Sequence, residues 1–148
     1  MNVYGPRMDY KGTYVSVIMK VLDRIEQQLP PVIFGDGSQA YDFIHVADVA
    51  RANILGMKAD AVDEFFNIGT GIKTTINDLV HLLLKISNSP LKPAYRPEEQ
   101  MFVTHRLGST EKAERLLSFQ ASMPMESGLR SVVEWRRRDQ ELALSLRA

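Results

Sequence analysis

Helices alternating with short strands predict an α/β fold for this chain, and three observations carry that prediction. Apolar residues recur at helical spacing from Tyr14 to Gln28, after Asp48 and after Thr75. Runs of β-branched and aromatic residues stand between those segments, and each ends in a turn composition. No internal repeat or low-complexity linker interrupts the 148 residues, so a single domain over 1–148 is the expected organisation.

The first helix is expected over Tyr14 to Gln28, where Tyr14, Val17, Ile18, Val21, Leu22 and Ile25 make one stripe and Pro30-Pro31 ends it. Val32-Ile33-Phe34 then reads as a strand halted by Gly35-Asp36-Gly37-Ser38, and Tyr41 to Val46 as a second β-rich run. Asp48 can cap or open a helix through about Ala59, with Val46, Val49, Ala50, Ile54 and Met57 as its apolar face. Phe65-Phe66-Asn67-Ile68 reads as a short buried strand closed by Gly69-Thr70-Gly71. Thr75, with Asp78 three residues on, resembles a capping box. The helix it opens carries Ile76, Leu79, Val80, Leu83 and Ile86 on one face and stops at Ser87-Asn88-Ser89-Pro90. Leu91 to Val103 is expected to be extended or looped, because Pro93 and Pro97 oppose helix. Two further helices are expected at about Thr110–Leu117 and Met125–Arg138. Three or four strands in all are few for a self-sufficient sheet.

Composition removes several function classes. Eighteen basic residues balance eighteen acidic ones, so no electrostatic case exists for nucleic acid or an anionic membrane as partner. Arg136-Arg137-Arg138 reads as a solvated helix end. The absence of cysteine excludes disulfides, thiolate zinc sites and cysteine nucleophiles. No apolar stretch reaches the ~18–20 residues of a membrane span, and Asn2 to Lys11 is polar and turn-rich, unlike a signal peptide. A soluble cytoplasmic protein is the expectation.

The chemistry-bearing motifs are sparse. Gly69-Thr70-Gly71 follows an expected strand and precedes a helix, but Thr74 stands where a dinucleotide fingerprint needs its third glycine. The acidic residue expected about 20 positions later is missing too, so the segment reads as a turn closing a strand. No tyrosine is followed four residues later by lysine, and no serine sits in a Gly-x-Ser-x-Gly elbow. His45, His81 and His105 are far apart, and Asp36, Asp42 and Asp48 lack the ligand spacing of a calcium loop, so no metal site is expected.

A set of segments in fixed order carries the strongest signal. Asn2-Val3-Tyr4-Gly5-Pro6-Arg7 comes first, then Phe34-Gly35-Asp36-Gly37-Ser38-Gln39 and the run from Asp42-Phe43-Ile44-His45 to Ala52. Phe66-Asn67-Ile68-Gly69-Thr70-Gly71 and Glu111-Lys112-Ala113-Glu114-Arg115-Leu116-Leu117 follow, with Gly128-Leu129-Arg130 and Glu134-Trp135-Arg136 near the end. Together they resemble the carboxyl-terminal, substrate-binding part of an extended short-chain dehydrogenase/reductase. The resemblance is to the NAD-dependent nucleotide-sugar epimerases and dehydratases, UDP-glucose 4-epimerase-like members first.

That resemblance implies an α/β fold of mixed helices and short strands that lacks the NAD-binding Rossmann half. It implies that NAD and the Tyr/Lys pair belong to the missing half, so that no catalytic or cofactor-binding residue lies in this chain. The bound molecule implied is a nucleotide sugar, with a UDP-sugar first. Asn2 matches an asparagine that contacts the diphosphate, Val32 and Phe34 the strand along the base, and Val17 a helix position closing over it. Tyr41 stands where the family usually has arginine, exchanging a cation for a neutral hydroxyl. A late phosphate-binding arginine corresponds to Arg106, with Arg96 as its rival. Without a Rossmann sheet to cover them, the helix after Asp48 and the segment Phe65–Ile68 are expected to drive self-association or to meet a separate Rossmann-domain partner. A truncated and inactive enzyme part, a stand-alone nucleotide-sugar binding module and a non-catalytic interaction protein that kept the fold all remain open.

Overall fold

The computed structural model describes residues 1–12, 15–97 and 105–146. In chain order the elements are β1 (Asn2–Tyr4), α1 (Val17–Glu26), β2 (Val32–Phe34), β3 (Ala40–Tyr41), β4 (Phe43–His45) and α2 (Val46–Lys58). They continue with β5 (Thr74–Thr75), α3 (Ile76–Ile86), β6 (Ala94–Arg96), β7 (His105–Arg106), α4 (Glu111–Leu117) and α5 (Met125–Ser145). The α/β class is therefore as expected, with the strands shorter and more scattered than their sequence signal.

Strand alternation sets the layout. β1 and β4 run parallel, with Asn2 opposite Phe43 and Tyr4 opposite His45. Successive side chains of a strand point to opposite faces, so Phe43 and Ile44 enter different interiors. Phe43 joins Tyr4 and the buried faces of α1, α3 and α5, including Ile18, Leu22, Leu83 and Leu129. Ile44 joins Ala52 of α2, Ala113 and Leu117 of α4, and Phe119. Helices thus cover both faces of a two-stranded core. On the first face α5 approaches closely at Gly128, where a Cβ would strike the Tyr4 ring. The remaining strands make small ladders: β2 parallel to β6, and β3 between antiparallel β5 and parallel β7.

Local chemistry explains the helices that sequence reading located. Ser16 caps α1, its hydroxyl accepting the Met19 N–H at 3.4 Å, and the five residues Ile18, Met19, Val21, Leu22 and Ile25 are buried. Tyr14, the expected start, lies outside the described residues; at the other end Gln28 turns the chain with a left-handed φ of 57°. α3 begins with the anticipated capping box, in which Thr75 Oγ1 accepts the Asp78 N–H at 3.0 Å and Asp78 Oδ2 accepts the Thr75 N–H at 3.3 Å. The stretch from Leu91 contains β6, and its portion 98–103 lies outside the described residues.

Four expectations are corrected. Phe65–Ile68 forms no strand, and Phe65 is 91% exposed. A strand is defined by its ladder, and no described strand pairs with this segment. The apolar stripe assigned to α2 also faces largely outward: Val46, Ile54 and Met57 are exposed and only Val49 packs inward, while the buried positions are Asp48 and Ala52. Asp48 does not cap that helix. His45 does, its Nδ1 accepting the Ala47 N–H at 3.2 Å. Finally, α5 continues to Ser145, and Arg136 is buried in mid-helix instead of solvated at a helix end. Its guanidinium pairs with Asp23 and with Glu26 of α1, the latter at 2.7 Å, which satisfies a charge that would be costly to bury alone.

Asp48 shows how such a buried charge is kept. Burial alone would raise its carboxyl, but N–H groups of Met123 and Ser122, the Ser122 hydroxyl and Arg51 donate to it and hold it at about 2, below the ordinary 3.8. In the unfolded chain the group binds its proton near 3.8, before the folded form does. Stability is therefore complete above that value and lost as pH falls through about 2, a contribution of about 2 kcal/mol. Asp48→Asn is expected to remove about that much at pH 7 and to flatten the decline between pH 4 and pH 2, which urea denaturation at several pH values will show.

Candidate functional site

A concavity of about 550 Å³ lies at two of the sequence-predicted residues, Asn2 and Val17. Its floor is the end of the central strand pair, with Asn2 from β1 and Phe43 from β4. The Asn2 N–H is spent on the Asp42 carbonyl at 2.8 Å, which fixes the backbone and leaves the side-chain amide as the functional group. One wall is the first turn of α1, contributing Ser16, Val17 and Lys20; Met8 and Val15 complete it. No acidic residue stands in that first turn, so the partial positive charge of the helix N-terminus is unopposed and adds to Lys20. An apolar floor, an amide and two sources of positive potential suit an anionic molecule with a flat or saturated body.

The structure brings some predicted residues together and separates others. Asn2 and Val17 meet in this cavity. Tyr41 reaches it indirectly: its ring lies edge-on to Phe43 with centroids 6.2 Å apart. Arg106 is the register partner of Tyr41 across the β3–β7 ladder, and its carbonyl accepts the Asp42 N–H at 3.0 Å. Val32 and Phe34 lie on the separate β2–β6 ladder, where Arg96 is the register partner of Phe34. Gln39 connects the two groups by donating its amide to the Phe34 carbonyl at 2.8 Å.

Met8, Ser16 and Lys20 were missed by sequence reading. Ser16 had a usable signal, a serine just ahead of an apolar-periodic run, while nothing in the sequence sets Lys20 apart from other lysines.

The Gly69-Thr70-Gly71 turn, which lacks the full dinucleotide fingerprint, receives an anion of the protein's own. Thr70 donates its N–H and hydroxyl to the buried Asp42 carboxylate at 2.9 Å and 2.6 Å, and Gly71 donates its N–H at 2.9 Å. A Cβ at Gly69 would collide with that carboxylate. The backbone donors that hold a pyrophosphate in a dinucleotide fold are committed here to a side chain of the protein itself, so these residues do not fit NAD.

A second arrangement invites a catalytic reading and fails it. His45 lies 3.4 Å from the Ser131 hydroxyl through Nε2, with Asp48 nearby. Because Nδ1 accepts the Ala47 N–H, the proton of the neutral ring is assigned to Nε2, and that nitrogen cannot take a proton from serine. Burial lowers the His45 pKa, only partly countered by the Asp48 charge, and so favours this neutral form. Ser131 itself donates to the Gly128 carbonyl at 2.7 Å.

Comparison with known proteins places this geometry in context. Residues 1–69 match the model of the NAD dependent epimerase/dehydratase family. A UDP-glucuronate 4-epimerase of Thermodesulfobacterium geofontis is 30% identical over 147 residues, covering 99% of this chain and 44% of its own. Among solved structures, the UDP-glucose 4-epimerase of Thermotoga maritima with UDP-glucose is 37% identical with a TM-score of 0.86, covering 94% of this chain and 44% of that one. The UDP-N-acetylglucosamine 4-epimerase of Methanobrevibacter ruminantium in complex with UDP-N-acetylmuramic acid is 33% identical with a TM-score of 0.85, covering 93% and 44% respectively. The chain spans less than half the length of each of these relatives.

The carboxylate-filled turn yields a direct test. Gly69→Ala should destabilise the fold by about 1–3 kcal/mol through overpacking against Asp42, whereas Ile72→Ala, 65% exposed, should change it by less than about 0.5 kcal/mol. Paired urea titrations will separate the two.

Proposed function

Because this chain belongs to the NAD dependent epimerase/dehydratase family and covers a portion of its relatives' length, we propose that it is the nucleotide-sugar-binding part of such an enzyme, with UDP-sugars as ligands. The observation that carries the reading is the meeting of Asn2, the unopposed α1 N-terminus and Lys20 around one cavity of about 550 Å³. A nucleoside diphosphate sugar supplies the matching chemistry: a diphosphate for the donors and a pyranose for the apolar floor.

In this reading the Asn2 amide donates to a phosphate oxygen. Lys20 and the helix end balance the diphosphate charge, and Val17 closes against the ligand. Val32 and Phe34 lie along the base. Tyr41 contributes a hydroxyl where a cation is usual, which shifts the burden of charge to Lys20 and to Arg106, its ladder neighbour. Arg106 is preferred to Arg96 because the β3–β7 ladder ties it to Tyr41 and so to the cavity wall, whereas Arg96 sits on the β2–β6 ladder. No catalytic role is assigned to any residue of this chain. Hydride chemistry on the sugar requires NAD and an acid/base pair from elsewhere, so the chain alone binds without turning over.

Self-association or docking on a Rossmann domain completes the proposal. Met57, 79% exposed, and Phe65 line one concavity with Phe66 and Ile68, and Ile54 and Val62 on α2 and the segment following it are exposed as well. Single exposed apolar residues are ordinary, but a contiguous group of this kind marks an interaction surface. No helix among the described residues is long and apolar enough to cross a membrane.

Isothermal titration of the purified chain with UDP, UDP-glucose and NAD tests the binding reading. UDP and UDP-glucose are expected to bind and NAD to give no heat; Asn2→Ala should weaken UDP-glucose about tenfold or more, as loss of a hydrogen bond to a charged group does. No heat from either UDP compound would defeat the reading. A dilution series by light scattering checks the interface separately: the expected species is larger than one chain, and a stable monomer at all concentrations would rule out self-association.

A further inference from the structure

The cavity wall at Met8 belongs to a loop whose own residues do not explain its position. The Met8 N–H makes a long bond of 3.4 Å to the Gly5 carbonyl, and Arg7 sits in the left-handed region with φ 70°, an unfavourable conformation for a residue with a side chain. The Asp9 carboxylate accepts the N–H groups of Lys11 and Gly12, both at 2.9 Å, which shapes the loop internally but attaches it to nothing.

Attachment is made by Tyr10. Its ring stands edge-on to Trp135 of α5 with centroids 5.8 Å apart, the Arg136 guanidinium lies 5.0 Å from its centroid, and its hydroxyl donates to Asp139 Oδ2. Three α5 side chains from about one turn of the helix thus converge on one residue. Arg136 is in turn locked to Asp23 and to Glu26 of α1, the helix whose first turn forms the facing wall of the cavity.

We propose that Tyr10 is a positioning residue for the nucleotide-sugar cavity: by latching the Arg7–Lys11 loop to Trp135, Arg136 and Asp139 of α5, it sets where Met8 meets the ligand. The proposal rests on the reading of the cavity given above and adds a residue outside it. Tyr10 does not line the cavity; it acts through Met8, two residues away. One of these α5 residues, Arg136, also holds α1, so one helix fixes both walls in relation to each other.

The experiment combines a double-mutant cycle with amide hydrogen exchange on the full chain. Tyr10→Ala and Met8→Ala are each expected to weaken UDP-glucose by about tenfold, and the double variant little further, because the two changes remove one shared arrangement. Tyr10→Phe keeps the ring contacts, loses the bond to Asp139, and should fall between wild type and Tyr10→Ala. Exchange at Met8 to Gly12 should accelerate in unliganded Tyr10→Ala while that of α1 and α3 stays unchanged. Additive effects, or unchanged affinity in a folded Tyr10→Ala, overturn the positioning role, since a purely structural tyrosine would not couple to Met8. Unchanged exchange with intact ligand binding overturns the latch alone. Failure of the wild-type chain to bind any UDP compound overturns the ligand role together with the reading it rests on.

Discussion

The fold depends on supplying hydrogen-bond donors to two carboxylates buried in its interior, and both lie within the seven residues Asp42 to Asp48. A buried charge is tolerated only where hydrogen-bond donors replace water, so each carboxylate dictates the backbone around it. Asp42 gathers the N–H groups of Thr70 and Gly71, while its own peptide accepts from Asn2 and donates to Arg106. Asp48 draws in Ser122 and Met123 from a segment more than seventy residues away. Between them, Phe43 and Ile44 enter the two hydrophobic clusters and His45 caps α2. One short segment therefore fixes the start of β1, the turn before β5, the approach to α5 and the ladder carrying Arg106. The cavity at Asn2 inherits its geometry from that arrangement.

Elements whose stabilising partners are local were legible in the sequence. α1 and α3 show it: each has a hydroxyl cap within three residues of the group it satisfies, and each buries the stripe its periodicity announced. The order of the family segments singles out Asn2 and Val17, and both line one cavity. Distant partners left no such trace. Arg136 has the composition of a solvated helix end because its acids, Asp23 and Glu26, stand more than a hundred residues away. Gly69-Thr70-Gly71 has the look of a nucleotide turn because turns that receive anions need the same backbone, whether the anion is a phosphate or the carboxylate of Asp42. Lys20 could not be singled out, since its significance comes from the α1 N-terminus beside it.

The outward-facing stripe of α2 is a case where the sequence pattern was correct and the burial was not. Val46, Ile54 and Met57 have the spacing of a buried face, yet they are exposed in this chain, as are Val62 and Phe65 beyond the helix. Burying one large apolar side chain is worth about 1.5–3 kcal/mol, so five of them represent a free energy comparable to the ~5–15 kcal/mol net stability of a typical domain. These exposed side chains are the surface on which the proposed self-association or docking would act. Within Phe65–Ile68, Phe66 and Ile68 pack on the cluster around Ile44 while Phe65 points to solvent.

Charge decides how the proposed site can work with Tyr41 in place of a cation. A diphosphate brings about two negative charges, and a neutral hydroxyl answers neither, however well placed it is for a hydrogen bond. Lys20 is a flexible, strongly hydrated point charge on an exposed part of α1, so it neutralises without fixing orientation. Orientation must then come from better-anchored groups: the Asn2 amide on a strand whose backbone is tied to Asp42, and the first turn of α1, a helix that Arg136 ties to α5 through Asp23 and Glu26. A site built this way loses cationic strength but keeps its geometry. Its affinity should consequently fall as ionic strength rises, because its mobile cation is the part that salt screens.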